Sequence, residues 1–585
     1  MNESTYAAGE RHRCVDAETL EFHPFPDSIF QHIQSCYGED CDAIHRCFSL
    51  ARLYKAQMYV EERIPAIGQL QEDIHEFVYS GHPGGDVRQV GEAFVKKVSE
   101  KPCDSAYVSL GNGYLEFKAQ RISFWKKNLL DRKQEDRAAA LAELGDADCI
   151  GYVILVKAGC VKGKLDKIRW IVYEAILDGE KNLRGVMPRP VEYSFRVGSR
   201  IRKIKGRMYC QQNGRTAVCA HAAVRTLLSA LLPERDISYK KISQLANYKG
   251  GSVDSKMIRA VFESLGFPVH DWSVDRSQKD DARNIPLYHC LYLGVESCGG
   301  SLFGFDVKNR DDQGAADDQH IIPVFGHTFN KHIWVNEASG YYFKSGIKVP
   351  RSFISDNWVS TFIAHDDNVG PNVSIPRFYI DHFALSSVIT VLPRPDRRKY
   401  AVGVDAEEIA VDWLRKNVVR FLEHWKRDKY ADNDWLDRLN TALTPGEGQE
   451  SADIAKVVLR SLLISRDEYL RHLQKDRDCE DHVEDPRAIE TIVKRLPEHL
   501  WMVEISFPHL FPVNERKIGE VVLSAEEGAS RMTRGVILIR LPSRYLLPVM
   551  EPGASIELEN APCYEMASAI QSHTPCFVFD DVRRI

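Results

Sequence analysis

Apolar positions along this chain recur with helical, alternating and continuous patterns, and each pattern predicts an element. Ala220, Ala223, Val224, Leu227, Leu228 and Leu231 recur at helical spacing, which predicts a buried helix over residues 218–232. Pro233 stops it, because a residue before proline is driven out of the helical region. Asp236-Ile237-Ser238 opens a second helix reaching about residue 247, and residues 252–265 form a third that Gly266 closes. Strict alternation over Val191–Val197 predicts a half-buried strand. The continuous runs 150–156, 168–176 and 285–294 read as strands, the first two joined through the Gly159–Gly163 turn. Residues 125–144 read as a charged helix. Past residue 400, Ala410, Leu414, Val418, Phe421, Leu422 and Trp425 define an amphipathic helix behind a capping-box start at Asp405 and Glu408. A long charged helix is predicted over 453–475, with strands near 501–507, 518–523 and 535–541.

Two breaks divide the chain. Gly81-His82-Pro83-Gly84-Gly85-Asp86 is a turn-rich loop, and Pro393-Arg394-Pro395-Asp396-Arg397-Arg398-Lys399 reads as an exposed linker. The expected organisation is a mainly helical region over 1–100, an α/β accessory region over 101–197, a central domain over 198–392, and a C-terminal α+β accessory domain over 400–585. The C-terminal domain carries no nucleophile–base pattern and is expected to serve partner recognition. The class is α+β.

Composition narrows the function classes. With 44% hydrophobic and 27% charged residues the chain is an ordinary globular sequence, and 585 residues suffice for several cores. A net charge of −6 supplies no basic field for nucleic acid, and no apolar run reaches membrane-spanning length. The 14 cysteines are scattered without a framework of regular spacings, and the first residues lack a basic-then-apolar leader. Reduced thiols in a cytoplasmic protein are therefore expected. His32, Cys36, Cys41, His45 and Cys47 crowd together without the paired short loops of a zinc site, so neither metal nor cofactor is expected. The basic strip 200–207 reads as an exposed strand kept soluble by charge.

The chemistry concentrates around Cys219. A polar, glycine-containing loop, Gln211-Gln212-Asn213-Gly214-Arg215-Thr216, runs into the buried helix, with Thr216 a candidate N-cap. Cys219 thus sits in the first helical turn, where free N–H groups and the helix dipole favour a thiolate. A base lies about a hundred residues on. His320 opens an apolar run behind the acidic loop Asp311–Asp318, and a reversal near Thr328 leads to Ile333-Trp334-Val335. If those runs pair as a hairpin centred on Thr328, Ile322 faces Trp334 and His320 faces Asn336, whose amide can orient the imidazole. Pro323 implies an edge or a bulge in that strand, and a one-residue slip would spoil the pairing. Asp366, in the polar cluster His365-Asp366-Asp367-Asn368, is then the alternative third group. His221 points away from Cys219 on the same helix, His327 lies in the predicted turn and His332 in mid-strand, so each reads as a packing or surface residue.

A cysteine at a helix start, a glutamine just before it, a histidine opening a strand and an asparagine sixteen residues later resemble the papain-like cysteine peptidase superfamily, in particular its bacteriocin-processing branch, over about residues 205–370. The resemblance implies a helix bundle packed on an antiparallel sheet. It also implies Cys219 as nucleophile, His320 as general base and acid, Asn336 as orienting group, and Gln212 with the Cys219 backbone N–H as oxyanion hole. The family glutamine stands six residues before the cysteine, where this chain has Asn213; Gln212 is one position further and Gln211 two. The activity implied is cleavage of an amide or isopeptide bond in a protein or peptide through a thioester. Acyl transfer or deamidation on the same groups, or a non-catalytic binding module, are the alternatives. The acidic loop predicts a preference for basic segments near the scissile bond.

Overall fold

The computed structural model describes residues 20–63 apart from 39–40, 106–178 apart from 111–112 and 161–168, and 185–275 apart from 213–218, 234, 236 and 249–252. It further describes 286–330 apart from 308–317, 353–392 apart from 381–384, 457–546 apart from 476–495, 526–535 and 542–543, and short pieces of 406–441 and of the residues after 562. In these residues helices pack against largely antiparallel sheets, an α+β arrangement.

The first sheet begins with β1 (Leu20–Pro24), followed by helices α1 (Ile29–Tyr37) and α2 (Asp42–Leu53), and then β2 (Met58–Arg63). β3 (Ala106–Leu110), β4 (Gly113–Trp125), helix α3 (Gln134–Glu143), β5 (Cys149–Cys160) and β6 (Arg169–Leu177) follow. β2 pairs with β4, so one sheet spans the expected division near residue 100. The continuous run 150–156 has its reason here. Val153 and Leu155 pack with α1 and α2 on one face, while Tyr152, Ile154 and Val156 pack on the other with Trp125 and Phe195. A strand covered on both faces has no polar side to show. Cys41 and Cys47 belong to the α2 core, and burial pushes the Cys47 thiol up to about 12. The charged helix expected over 125–144 shrinks to α3, because Trp125 still belongs to the sheet.

β7 (Gly185–Met187) leads to the ribbon β8 (Val191–Val197) and β9 (Arg200–Gly206), and β10 (Met208–Tyr209) rejoins the first sheet against β6. In β9, Lys203 is exposed and paired with Glu192 at 2.9 Å, while Arg202 is buried over the Trp125 ring. The chain then enters helix α4 (Cys219–Leu231), α5 (Tyr239–Leu245) and α6 (Ser255–Ser264), the last two capped by Ser238 and Asp254 side chains. Gly266, at φ +88°, follows α6 as expected.

The second sheet has the order β11 (Val269–Asp275), β17 (Leu385–Val391), β12 (Ser301–Val307), β13 (Asp318–Thr328), β15 (Thr361–Asp366), β16 (Gly370–Pro376), with β14 (Phe353–Ile354) lying between β13 and β15 in sequence. Residues 285–294, expected as a strand, instead supply most of helix α7 (Leu287–Cys298). Every residue of α7 is buried, so its sequence has no polar face to reveal a helical period. The true signals are Pro286 at its N-cap and Gly299 in the left-handed conformation past its end. Gly294 lets α7 lie directly on the sheet: a Cβ there would come within 1.9 Å of Ser301 Oγ.

The third sheet runs in the order β14, β18 (Val458–Ser465), β19 (His499–Ser506), β21 (Gly519–Ser524) and β22 (Val536–Leu541), continued by two short strands, with helix α8 (Arg466–Lys475) following β18; β20 (Arg516–Lys517) pairs outside the sheet. The helix expected over 453–475 is therefore half strand: Leu459 and Leu463 pack on one face of the sheet and Leu462 and Ile464 on the other. Ala410, Trp413 and Leu414 cover the first of those faces.

Buried charges join the second and third sheets. His327 on β13 contacts Glu296 of α7 at 2.6 Å, Glu296 pairs with Arg460 at 2.6 Å, Arg460 with Glu504 at 3.1 Å, and Glu504 with Lys517 at 2.8 Å. Lys517 reaches Glu520 at 3.0 Å, and Glu520 pairs with Arg540 at 3.3 Å. Burial alone would raise the Glu296 carboxyl, but Arg460 and His327 outweigh it and hold it down at about 2.

A second joint is His289 of α7, which bridges Asp356 at 3.0 Å and Glu407 at 2.8 Å. Burial would lower its pKa, yet the charges and hydrogen bonds of Glu407 and Asp356 raise it to about 10. A histidine raised in the folded state stabilises fully below its unfolded pKa near 6.5, and that contribution fades as pH climbs towards 10. The stability gap between the parent and His289→Asn is accordingly expected to shrink steadily from pH 6 to pH 10 in urea denaturation. A gap independent of pH would mean that His289 is not held as a cation.

Candidate active site

Cys219 opens α4, a helix wedged between the first and second sheets: Ala222 packs into the first sheet's core, while Ala220, Ala223, Val224, Leu227 and Leu228 pack against Leu302 and Ile389 of the second. Arg225, buried on α4, pairs with Glu174 of β6 at 3.4 Å and lies over the Tyr173 ring. These contacts fix the helix start and leave the Cys219 thiol half-buried, where the six other buried cysteines among the described residues are closed off and Cys36 is exposed. The loop 213–218, with Thr216 and Asn213, lies outside the described residues.

His320 lies near the start of β13, paired across to Phe305 of β12. On the other edge β15 runs antiparallel to β13, with Val324 opposite Ala364. This overturns the expected hairpin. A hairpin centred on Thr328 would set Val324 opposite His332, but both edges of Val324 are occupied, by Ser301 and Ala364. Asn336 and His332 themselves lie outside the described residues, as does most of the acidic loop before His320. Pro323 is accommodated opposite Leu302, and the irregularity it foretold falls between Val324 and Gly326.

Because β15 climbs beside β13, the turn after it returns to His320. His320 Nε2 lies 3.2 Å from Asp367 Oδ1 and 3.6 Å from Asp366 Oδ1. The Phe305 ring packs edge-on against the imidazole at 5.5 Å, and the Cys219 thiol also acts on it. Burial would lower the imidazole's pKa, but Asp366, the Cys219 contact and Asp367 together raise it to about 10. The two acids diverge. Burial and the charge of Asp366 push Asp367 up to about 7 against the pull of His320, whereas His320 and two backbone N–H groups hold Asp366 below its ordinary value despite burial.

The turn that carries the acids is held from several sides. Asp366 Oδ1 accepts from the N–H groups of Asn368 and Val369 at 2.8 and 3.2 Å, a side-chain-closed turn. Arg46 of α2 donates to the carbonyls of Pro371 and Asn372 at 3.2 and 2.7 Å. Gly370, at φ +129°, admits the Arg46 stem where a Cβ would sit 2.8 Å from it. His365 accepts from Asn372 N–H at 3.1 Å and donates to the Arg207 carbonyl at 3.3 Å; burial depresses it to about 3, so it is a neutral strut. The N-terminal helices thus position a turn more than three hundred residues away.

Gln212 lies at the same turn, its amide donating to Asn368 Oδ1. Gln211 is occupied elsewhere: its side-chain oxygen accepts from Val172 N–H at 2.9 Å. His221 contacts Ser243 at 3.1 Å on the far side of α4, with burial lowering it to about 4, and His327 is committed to Glu296, so both are packing histidines. The crevice beside the thiol is lined by Cys219, Cys210, Ala223, Thr226, Ile321, Pro323, His365 and Asp367. Sequence reasoning named Asp366 only as an alternative and missed the role of Asp367, although both stand in the polar cluster that ends an apolar run. Nothing in the sequence pointed to Arg46.

Neither a scan against protein-family models nor a search of curated proteins finds a match to the chain.

Proposed function

We propose that the chain is a papain-like cysteine hydrolase that cleaves an amide or isopeptide bond in a protein or peptide, with Cys219 as nucleophile, His320 as general base and acid, and the Asp366–Asp367 turn in place of the expected Asn336. The observation that carries this reading is one imidazole set between a half-buried thiol at a helix start and a pair of carboxylates. Nε2 is turned to the carboxylates, and in this reading Nδ1 serves the thiol. The carboxylates stabilise the imidazolium that forms when the thiol gives up its proton. The thiolate attacks the carbonyl carbon, and the oxyanion is met by the Cys219 N–H and by the Gln212 amide, which has a second N–H beyond the one given to Asn368. The imidazolium then protonates the leaving amine, giving a thioester. His320 next takes a proton from water, the hydroxide displaces the thiol, and the acid product leaves. A helix bearing the cysteine at its start, packed on an antiparallel sheet bearing the histidine, supports the papain-like reading of the fold. The C-terminal sheet is the region we assign to partner recognition.

Brief treatment with limiting iodoacetamide followed by peptide mass spectrometry tests the reading. Cys219 is expected to be labelled before the buried cysteines and faster than exposed Cys36, because a thiol beside a base reacts ahead of an unassisted one. Labelling led by Cys36 or by any other cysteine removes the case for a catalytic Cys219.

A further inference from the structure

We propose that His320, Asp366 and Asp367 form a binding site for Zn²⁺, and that zinc bound there silences the enzyme by capturing its base rather than its nucleophile. The binding stands on geometry alone; the silencing rests on the thiol-hydrolase reading. Among the described residues these three are the group of histidine, cysteine and acid side chains with the spacing to hold a metal ion: one donor atom from each, all within 4.8 Å of one another. Zinc bonds of about 2.0–2.2 Å at tetrahedral angles set neighbouring donors roughly 3.3–3.6 Å apart. His320 Nε2 lies 3.2 Å from the Asp367 oxygen and 3.6 Å from that of Asp366.

A second observation is independent of the spacing. Asp367 is only 5% exposed, and neither of its carboxylate oxygens has a hydrogen-bond partner; His320 Nε2 has none either. The ring nitrogen and the carboxylate therefore approach to ion-pair distance without hydrogen-bond alignment. Buried polar atoms are rarely left so, and a cation shared between them satisfies both at once. An imidazole nitrogen with two carboxylates and an open fourth position suits zinc, with water completing the tetrahedron.

The chemical consequence follows from the two ring nitrogens. Zinc binds neutral imidazole, so metal on Nε2 confines the remaining proton to Nδ1, the nitrogen left for the Cys219 thiol. That nitrogen then donates and cannot accept. The thiol keeps its proton, and no step of the thioester route can start.

Calorimetric titration of Zn²⁺ into the full-length chain, reduced with a non-thiol reductant, tests the site. The parent chain is expected to bind one equivalent that Asp367→Asn weakens at least about 100-fold, beyond the effect typical of outer-shell partners. Cys219→Ser is expected to retain it within a few-fold. Co²⁺ at the same site should show no thiolate charge-transfer band. An equivalent lost in Cys219→Ser, a thiolate band, or an Asp367→Asn titration matching the parent overturns the site. Asp366→Asn, with circular dichroism on each variant, guards against misfolding, and it too must weaken the equivalent. Cys219 alkylation separates the two readings: zinc should slow it in the parent and not in Asp367→Asn. Binding as expected without that protection sinks the silencing and leaves the site. Slow alkylation of metal-free Cys219 sinks the hydrolase reading instead.

Discussion

His320→Ala is expected to leave the chain folded and to slow alkylation of Cys219 near pH 7 by about tenfold or more. An unassisted thiol is only a few per cent thiolate at that pH, whereas in the proposed mechanism the imidazole takes the proton. Against an amide substrate the loss should be larger, roughly 10²–10⁴-fold, since the same ring must also protonate the leaving amine. The carboxylates rank next. Asp367→Ala should cost more than Asp366→Ala, because its oxygen is the nearer to Nε2 and has no backbone N–H groups to occupy it. Asn336→Ala should change little, since β15 takes the edge of β13 on which the hairpin would have lain. A loss in Asn336→Ala equal to that in His320→Ala would restore the hairpin and remove the acids from the mechanism.

Lys517→Ala is expected to be the most damaging single change to stability, about 3–5 kcal/mol, the cost typical of breaking a buried ion pair by deleting one partner. Lys517 is fully buried and stands between Glu504 at 2.8 Å and Glu520 at 3.0 Å, with His472 Nε2 at 2.7 Å. Its removal leaves Glu520 with Arg540 and Glu504 with Arg460, each carboxylate short of one charge partner. Because Arg460 also holds Glu296, and Glu296 holds His327 on the strand of His320, the damage should be felt at the candidate site as faster backbone hydrogen exchange along β13. Urea denaturation showing a loss under about 1 kcal/mol would mean that water or side-chain movement compensates the buried carboxylates.

The sequence alone determined the elements whose hydrophobic period is their own. The α4 helix shows its buried stripe, the 191–197 strand its alternation, and the α5 and α6 helices their caps, and each lies where the pattern set it. Cys219 at a helix start and His320 near a strand start were legible for the same reason: both follow from local boundaries. Elements buried on every side were not legible. The α7 helix and the β18 strand bury both faces, so neither shows a polar period, and each was assigned the other's type. Which acids stand beside the imidazole was decided by tertiary structure as well. Strand pairing is a choice among partners far apart in sequence, and residues 361–366 took an edge of β13, bringing Asp366 and Asp367 to the imidazole. Arg46 shows the limit most clearly: no local pattern ties it to Pro371, and only the packing of α2 against β16 sets its guanidinium on the turn that carries the acids.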